Sequence, residues 1–147
     1  MRALVQRVTA AEVWIGATRV TGIGQGLLVF VGVSADDTER DVSWLSDKVI
    51  HLRIFPDSGG KMSKDVMSVD GSLLIVSQFT LYGEVKKGRR PDFAAAASGP
   101  VARPLYDNFV QACRAQWGRV ETGVFAEDMD IQLVNSGPVT VWLESPR

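Results

Sequence analysis

The chain has 147 residues, of which 46% are hydrophobic and 22% charged, with 16 basic and 17 acidic side chains. That balance suits an ordinary globular protein, long enough to bury a core without staples. A net charge of −1 gives no global attraction to nucleic acid, Cys113 alone excludes an intramolecular disulfide, and no apolar run approaches membrane-spanning length. The Met1–Arg7 segment lacks the apolar block of a signal peptide, so a cytoplasmic protein not attached to membrane is expected.

Residues 2–15 alternate loosely, with Leu4, Val8, Val13 and Ile15 among polar positions, and read as a long first strand in which Ala10-Ala11 marks a bend or bulge. Gly16–Arg19 is turn-like. Gly22, Gly24 and Gly26 follow as G-x-G-x-G, which lacks the third-glycine spacing and the following helix of a dinucleotide fingerprint. They are read as a hairpin loop before the central strand Leu27–Val33. Asp36 to Leu52 is the first helix: Asp36 and Glu39 have capping-box spacing, and Val42, Leu45, Val49 and Leu52 share a face. The acidic first turn suits the helix dipole. His51, the only histidine, lies on the flank of that stripe with no Ser or Cys motif beside it, and is assigned to the surface or the helix end.

Phe55-Pro56 ends the helical region, Val66–Val69 reads as a short strand, and Asp70-Gly71 as a hairpin signal. Leu73–Val76 is an unbroken apolar run of the kind buried on both faces, and the same strand continues through Ser77, Gln78, Phe79 and Thr80 with polar groups leaving the core. Buried hydroxyls and amides need partners, so this end is either tied down or opens into a pocket. A loop with Lys86, Lys87, Arg89 and Arg90 follows, placed to meet an anionic partner. Ser98-Gly99-Pro100 opens a second helix with Pro104 in its first turn; Leu105, Phe109, Cys113 and Trp117 form its apolar stripe, which makes Cys113 a core residue, and Gly118 stops it. Strands at Val120–Phe125, Met129–Val134 and Val139–Leu143 complete the chain. Glu127, Asp128 and Asp130 have no histidine or further ligand cluster and are not read as a metal site. The element order predicts one α+β domain over 1–147, with a largely antiparallel, barrel-like sheet and two main helices.

There is no G-x-S-x-G elbow, H-E-x-x-H, Walker loop or paired-cysteine metal site. What remains is Ser77-Gln78-Phe79-Thr80-Leu81, then Lys87-x-Arg89-Arg90-Pro91-Asp92-Phe93, then Asn135-Ser136-Gly137-Pro138-Val139-Thr140. These stretches, with the N-terminal Met-Arg-x-x-x-Gln-Arg-Val and Gly123-x-Phe125, closely resemble the D-aminoacyl-tRNA deacylases, in order and across essentially the whole chain. The sequence departs from that pattern at Ala126, where many relatives carry glycine, and at Ser136, where aspartate is frequent.

The resemblance implies a homodimer that hydrolyses the ester between a D-amino acid, or glycine, and the 3′ end of tRNA, without metal or cofactor, as translation quality control. It also implies a cis Gly137-Pro138 peptide that enters the partner's active site and leaves no room for an L side chain. Ser77, Gln78, Phe79 and Thr80 are then the catalytic segment, Gly137, Pro138, Val139, Arg7 and Phe125 the substrate-binding and chiral-selection group, and Lys86, Lys87, Arg89 and Arg90 the tRNA contacts. An aminoacyl ester is already activated, so positioning and backbone N–H donors can supply most of the acceleration. Thr80 has no adjacent base, and is read as lining the site without forming an acyl-enzyme. Phe79 is either a stacking surface for the terminal adenine or a core residue; Arg7 either props the Gly-Pro loop or pairs along its strand. Two rivals stand beside this reading: a non-catalytic tRNA- or phosphate-binding module built on the cationic loop, and an esterase with Thr80 as nucleophile.

Overall fold

One long strand, β1 (Arg2–Ile15), organises the sheet in a computed structural model that describes residues 1–86 and 88–146. Along one edge it pairs antiparallel with β8 (Asp130–Glu144); along the other it pairs with β3 (Gly26–Gly32) over its first half and β2 (Thr18–Ile23) over its second. Ala3 and Val5 face one core, whereas Val8, Ala11 and Val13 face another. A two-residue period cannot do this unbroken. Between Val8 and Ala10 the register against β8 advances only from Asn135 to Val134, so a bulge at Thr9 carries the odd positions to the other face. The irregularity expected at Ala10-Ala11 thus falls just before that pair, which itself stays in register with Val134 and Leu133.

The glycine-rich stretch is not a hairpin loop. The hairpin sits earlier, at Gly16-Ala17, and Gly24-Gln25 only bends the returning chain between β2 and β3, both of which run back along β1. The central sheet then turns parallel: β3 pairs with β6 (Ser72–Ser77), and β6 with β7 (Val120–Thr122), both parallel. Asp70-Gly71 therefore does not make a hairpin. Val66–Val69 is not a strand either, but a turn: Gly71 N–H donates to Val66 O, Asp70 N–H to Met67 O, and the Asp65 carboxylate caps Ser68. Leu73, Leu74, Ile75 and Val76 are essentially inaccessible, with Leu73 and Ile75 facing one core and Leu74 and Val76 the other, which is why the run is unbroken.

The larger core lies between the sheet and the helices α1 (Glu39–Ile50) and α2 (Gly99–Gln116), joining Leu27, Val29 and Ile75 to Leu45, Phe109 and Cys113. Burial pushes the Cys113 thiol up to about 12, as befits a packing residue. The smaller core fills the curl of the sheet. The result is a single α+β domain with a nearly closed, mixed, barrel-like sheet. A two-stranded ribbon, β4 (Phe55–Pro56) with β5 (Met62–Lys64), lies apart.

Several boundaries shift for local reasons. Thr38, not Asp36, caps α1, and Asp41 rather than Glu39 closes the capping box by accepting from the Thr38 N–H. Burial raises the Asp41 carboxyl, but hydrogen bonds from Ser145 and Thr38 outweigh it and hold the pKa down at about 2. Pro104 lies inside α2 rather than in its first turn, where Pro100 sits. β7 stops at Thr122, short of Phe125. The two C-terminal strands are one strand, β8, interrupted by a loop: β1 steps from Gln6 to Val8 while β8 steps from Thr140 to Asn135, so Ser136–Val139 bulge out opposite Arg7.

Candidate active site

β6 ends at Ser77, and the chain winds at once into a 3-10 turn, Phe79–Tyr82, instead of continuing as strand through Thr80. Gln78 N–H still donates to Val31 O, so the turn begins at the carboxyl end of β3. Beside it opens a cavity of about 540 Å³. Its floor is the ends of β3 and β6 (Val31, Val33, Val76, Ser77), one wall is Gln78 and Phe79, and another is the start of α2 with Gly99, Ala102 and Tyr106. The last wall is Phe125 to Met129, with Ile131 behind. The polar strand end thus opens into a pocket. Both cavity and turn lie where parallel strands end, the position at which such sheets leave a crevice.

Ser77, Gln78, Phe79 and Phe125 meet at this cavity. Thr80 does not line it; its exposed hydroxyl accepts from the Gln78 side-chain amide. Phe79 is 56% exposed and packs edge-on against Phe93 with ring centres 5.1 Å apart, so it is not a core residue. In a 3-10 turn the first N–H groups, here Phe79 and Thr80, have no acceptor within the turn. Tyr106, which the sequence reading passed over, is buried at the back with its hydroxyl donating to Ile75 O. Its ring lies 5.5 Å from that of Phe125, and burial raises its phenol well above the usual range. Its spacing from Phe109 and Cys113 on α2 already placed it near the buried face.

Arg7 and the Gly137-Pro138 loop lie elsewhere. None of Arg7, Gly137, Pro138 or Val139 lines the cavity. Arg7 Nη1 donates to Ile54 O at 2.6 Å and Nε to Ser136 O at 3.2 Å, so the guanidinium braces the loop from below. Asn135 closes its neck, with Nδ2 donating to Arg7 O and to Val139 O. Gly137 adopts φ +119°, the Gly137–Pro138 peptide is cis, and both residues are exposed. Of the cationic loop, Lys86 pairs with Glu84 while Arg89 and Arg90 are exposed; Lys87 lies outside the described residues. His51 sits exposed at the C-terminus of α1, its Nδ1 3.0 Å from Asp47 O. Among the described residues no group of three or more His, Cys, Asp or Glu could hold a metal ion, and no helix is long and apolar enough to cross a membrane.

The family model described as D-Tyr-tRNA(Tyr) deacylase matches residues 4–144. The chain belongs to the D-aminoacyl-tRNA deacylase family. It is accordingly an enzyme, a hydrolase with D-aminoacyl-tRNA deacylase activity. It is 54% identical over 145 residues to a D-aminoacyl-tRNA deacylase of Thermomicrobium roseum, covering 99% of this chain and 94% of that one. With a D-aminoacyl-tRNA deacylase of Thermotoga petrophila it shares 50% over 147 residues, covering 100% and 99%. Among solved structures, one titled "c-Myc DNA Unwinding Element Binding Protein" superposes with a TM-score of 0.95 at 39% identity over the whole of both chains. Another, titled as a probable eukaryotic D-amino acid tRNA deacylase, gives 0.84 at 20% identity over 97% of both, a likeness of fold.

Ala126, one of the two departures from the deacylase pattern, has φ +66°, a left-handed conformation that glycine adopts without strain. The conformation costs an L residue roughly 1–2 kcal/mol, while glycine loses about 0.4–1 kcal/mol more chain entropy on folding. Ala126→Gly is therefore expected to stabilise by about 0.5–1 kcal/mol, raising the melting temperature by a few degrees in a thermal unfolding scan.

Proposed function

We propose that the chain hydrolyses the ester joining a D-amino acid or glycine to the 3′ end of tRNA, in the cytoplasm as translation quality control, using backbone donors rather than a side-chain triad. The observation that carries this reading is the 3-10 turn at the mouth of the cavity. Its first N–H groups, on Phe79 and Thr80, lack acceptors within the turn, which leaves them available to an ester carbonyl as it gains negative charge. One such donor is worth roughly 2.7–4 kcal/mol to a transition state. An ester needs no more activation than that plus positioning, and the Thr80 hydroxyl is engaged by the Gln78 side-chain amide rather than by a base among the hydrogen bonds of the described residues.

Chirality is read by main chain from a second copy of the protein. The Gly137-Pro138 loop is exposed, braced by Arg7 and Asn135, and contributes nothing to its own cavity. A rigid loop facing outward suits insertion into a partner, where it excludes an L side chain rather than grading its affinity. The exposed Arg89 and Arg90 beside Phe93 supply phosphate contacts for the tRNA.

Metal-free protein should release D-tyrosine from D-tyrosyl-tRNA and spare L-tyrosyl-tRNA. Hydrolysis of both alike would remove the chiral reading; salt-sensitive tRNA binding without turnover would favour the binding-module alternative. Thr80→Ala should keep most of the activity, and its loss would point to a hydroxyl nucleophile instead.

A further inference from the structure

We propose that a second groove, framed by Arg103, seats the penultimate nucleotide of the RNA strand, with the Arg103 guanidinium holding the phosphate that links it to the terminal nucleoside. This rests on the deacylase reading above. The groove is open and shallow, lies along the first turns of α2, and shares Gly99, Phe125 and Ala126 with the catalytic cavity, so the two are separated by a single rim. A cavity of 540 Å³ accommodates an aminoacylated nucleoside, and the RNA strand must leave it across some edge.

Charge selects the edge. Within the cavity the wall beyond Ala126 carries Glu127 and Asp128, which repel phosphate. Across the Phe125–Ala126 rim stands Arg103, its guanidinium carbon 5.4 Å from the centre of the Phe125 ring. The same ring is met by Tyr106 from within the cavity, so Phe125 is a partition between the two compartments. Among the described residues that line the groove the other charged side chain is Asp107, whose Oδ2 lies 3.7 Å from Arg103 Nε, and Arg103 is 62% exposed. Such a long, open ion pair contributes little and is readily exchanged for a bidentate contact to phosphate. Pro100 and Pro104 give the groove an apolar floor for a ribose or base. An unpaired RNA end is recognised by this combination of a planar guanidinium beside an aromatic ring and an apolar surface.

The test compares two substrates, D-tyrosyl-tRNA and 3′-O-D-tyrosyl-adenosine, which lacks the penultimate nucleotide. Arg103→Ala should raise KM for the tRNA about fivefold or more with kcat nearly unchanged, and make the dependence of log KM on log salt shallower by about 0.7. Turnover of the adenosine ester should not change, and Arg103→Lys should restore the salt dependence but only part of the affinity. Equal loss on both substrates would mean that Arg103 acts only by supporting Phe125, and no loss on either would mean the groove is empty during turnover; each overturns the proposal. Wild-type protein inactive on both would overturn the deacylase reading, and this inference with it.

Discussion

Arg7→Ala is expected to lower kcat/KM for a D-aminoacyl-tRNA by roughly a hundredfold and to bring the D and L substrates closer in rate. The side chain does two jobs at once, donating to Ile54 O at 2.6 Å and to Ser136 O at 3.2 Å, and so ties the emergent loop of β8 to the body of the domain. Charged hydrogen bonds of this kind contribute about 1.5–3 kcal/mol each at most, and losing them leaves carbonyls short of donors. Stability should fall by a few kcal/mol, but the larger effect is geometric. In the proposed mechanism the loop is the specificity wall, and a displacement of about 1 Å in such a positioning element costs on the order of 10²-fold. Arg7→Lys should fail as well, because one ammonium on a flexible stem cannot hold both carbonyls in a fixed fork. Single-turnover rates on matched D- and L-tyrosyl-tRNA, measured well below the melting temperature, separate the effects. An unchanged D/L ratio in a folded Arg7→Ala protein would remove the loop from the selection mechanism.

The largest stability effect is expected at Gly26. A Cβ there would stand 1.8 Å from Ser72 O and 2.8 Å from two further backbone atoms of Ser72, because β3 begins where the chain leaves β2 and is pressed against the start of β6. Backbone cannot yield as a side-chain tip can, and overpacking of this severity costs about 3 kcal/mol or more. Gly26→Ala should accordingly melt roughly 10 °C lower, or fail to fold. Gly24, two residues earlier, is the control: a Cβ there meets nothing within 4 Å and its φ is not positive, so Gly24→Ala should change stability by no more than about 0.5 kcal/mol. Equal melting temperatures for the two variants would contradict the close approach of β3 and β6.

The contrast between these glycines marks how far the sequence could be read. G-x-G-x-G looked like one loop signal, yet Gly26 is required by a neighbouring strand distant in sequence, which no local pattern encodes. The parallel pairing of β6 was hidden for the same reason. Its double-sided burial was legible from Leu73–Val76, but its direction depends on β3 and β7. Asp70-Gly71 misled because Asp70, with φ 53°, serves a turn that ends on Val66 instead of a hairpin. Features set by side-chain period or caps near in sequence, such as α1, the stripe of α2 and the kink at Ala10-Ala11, were recoverable within a few residues. In the site, Ser77, Gln78, Phe79 and Phe125 converge on one cavity, whereas for Tyr106 the helical spacing signalled burial and for Asn135 the motif signalled a place in the loop, but neither signalled a bonding partner. Their roles come from what they bond to, Ile75 O in one case and the two carbonyls of the loop neck in the other.

β8 has a further property that concerns behaviour at high concentration. Among the described residues it pairs only with β1, which leaves a long outer edge of a kind that recruits strands from other molecules. The Ser136–Val139 loop cuts that edge into two short runs, 130–135 and 140–144, and places a residue without an N–H at the break. Neither run alone offers a template long enough for indefinite ladder growth. The segment proposed to discriminate between mirror-image substrates thereby also limits the chain's capacity to aggregate through its own sheet.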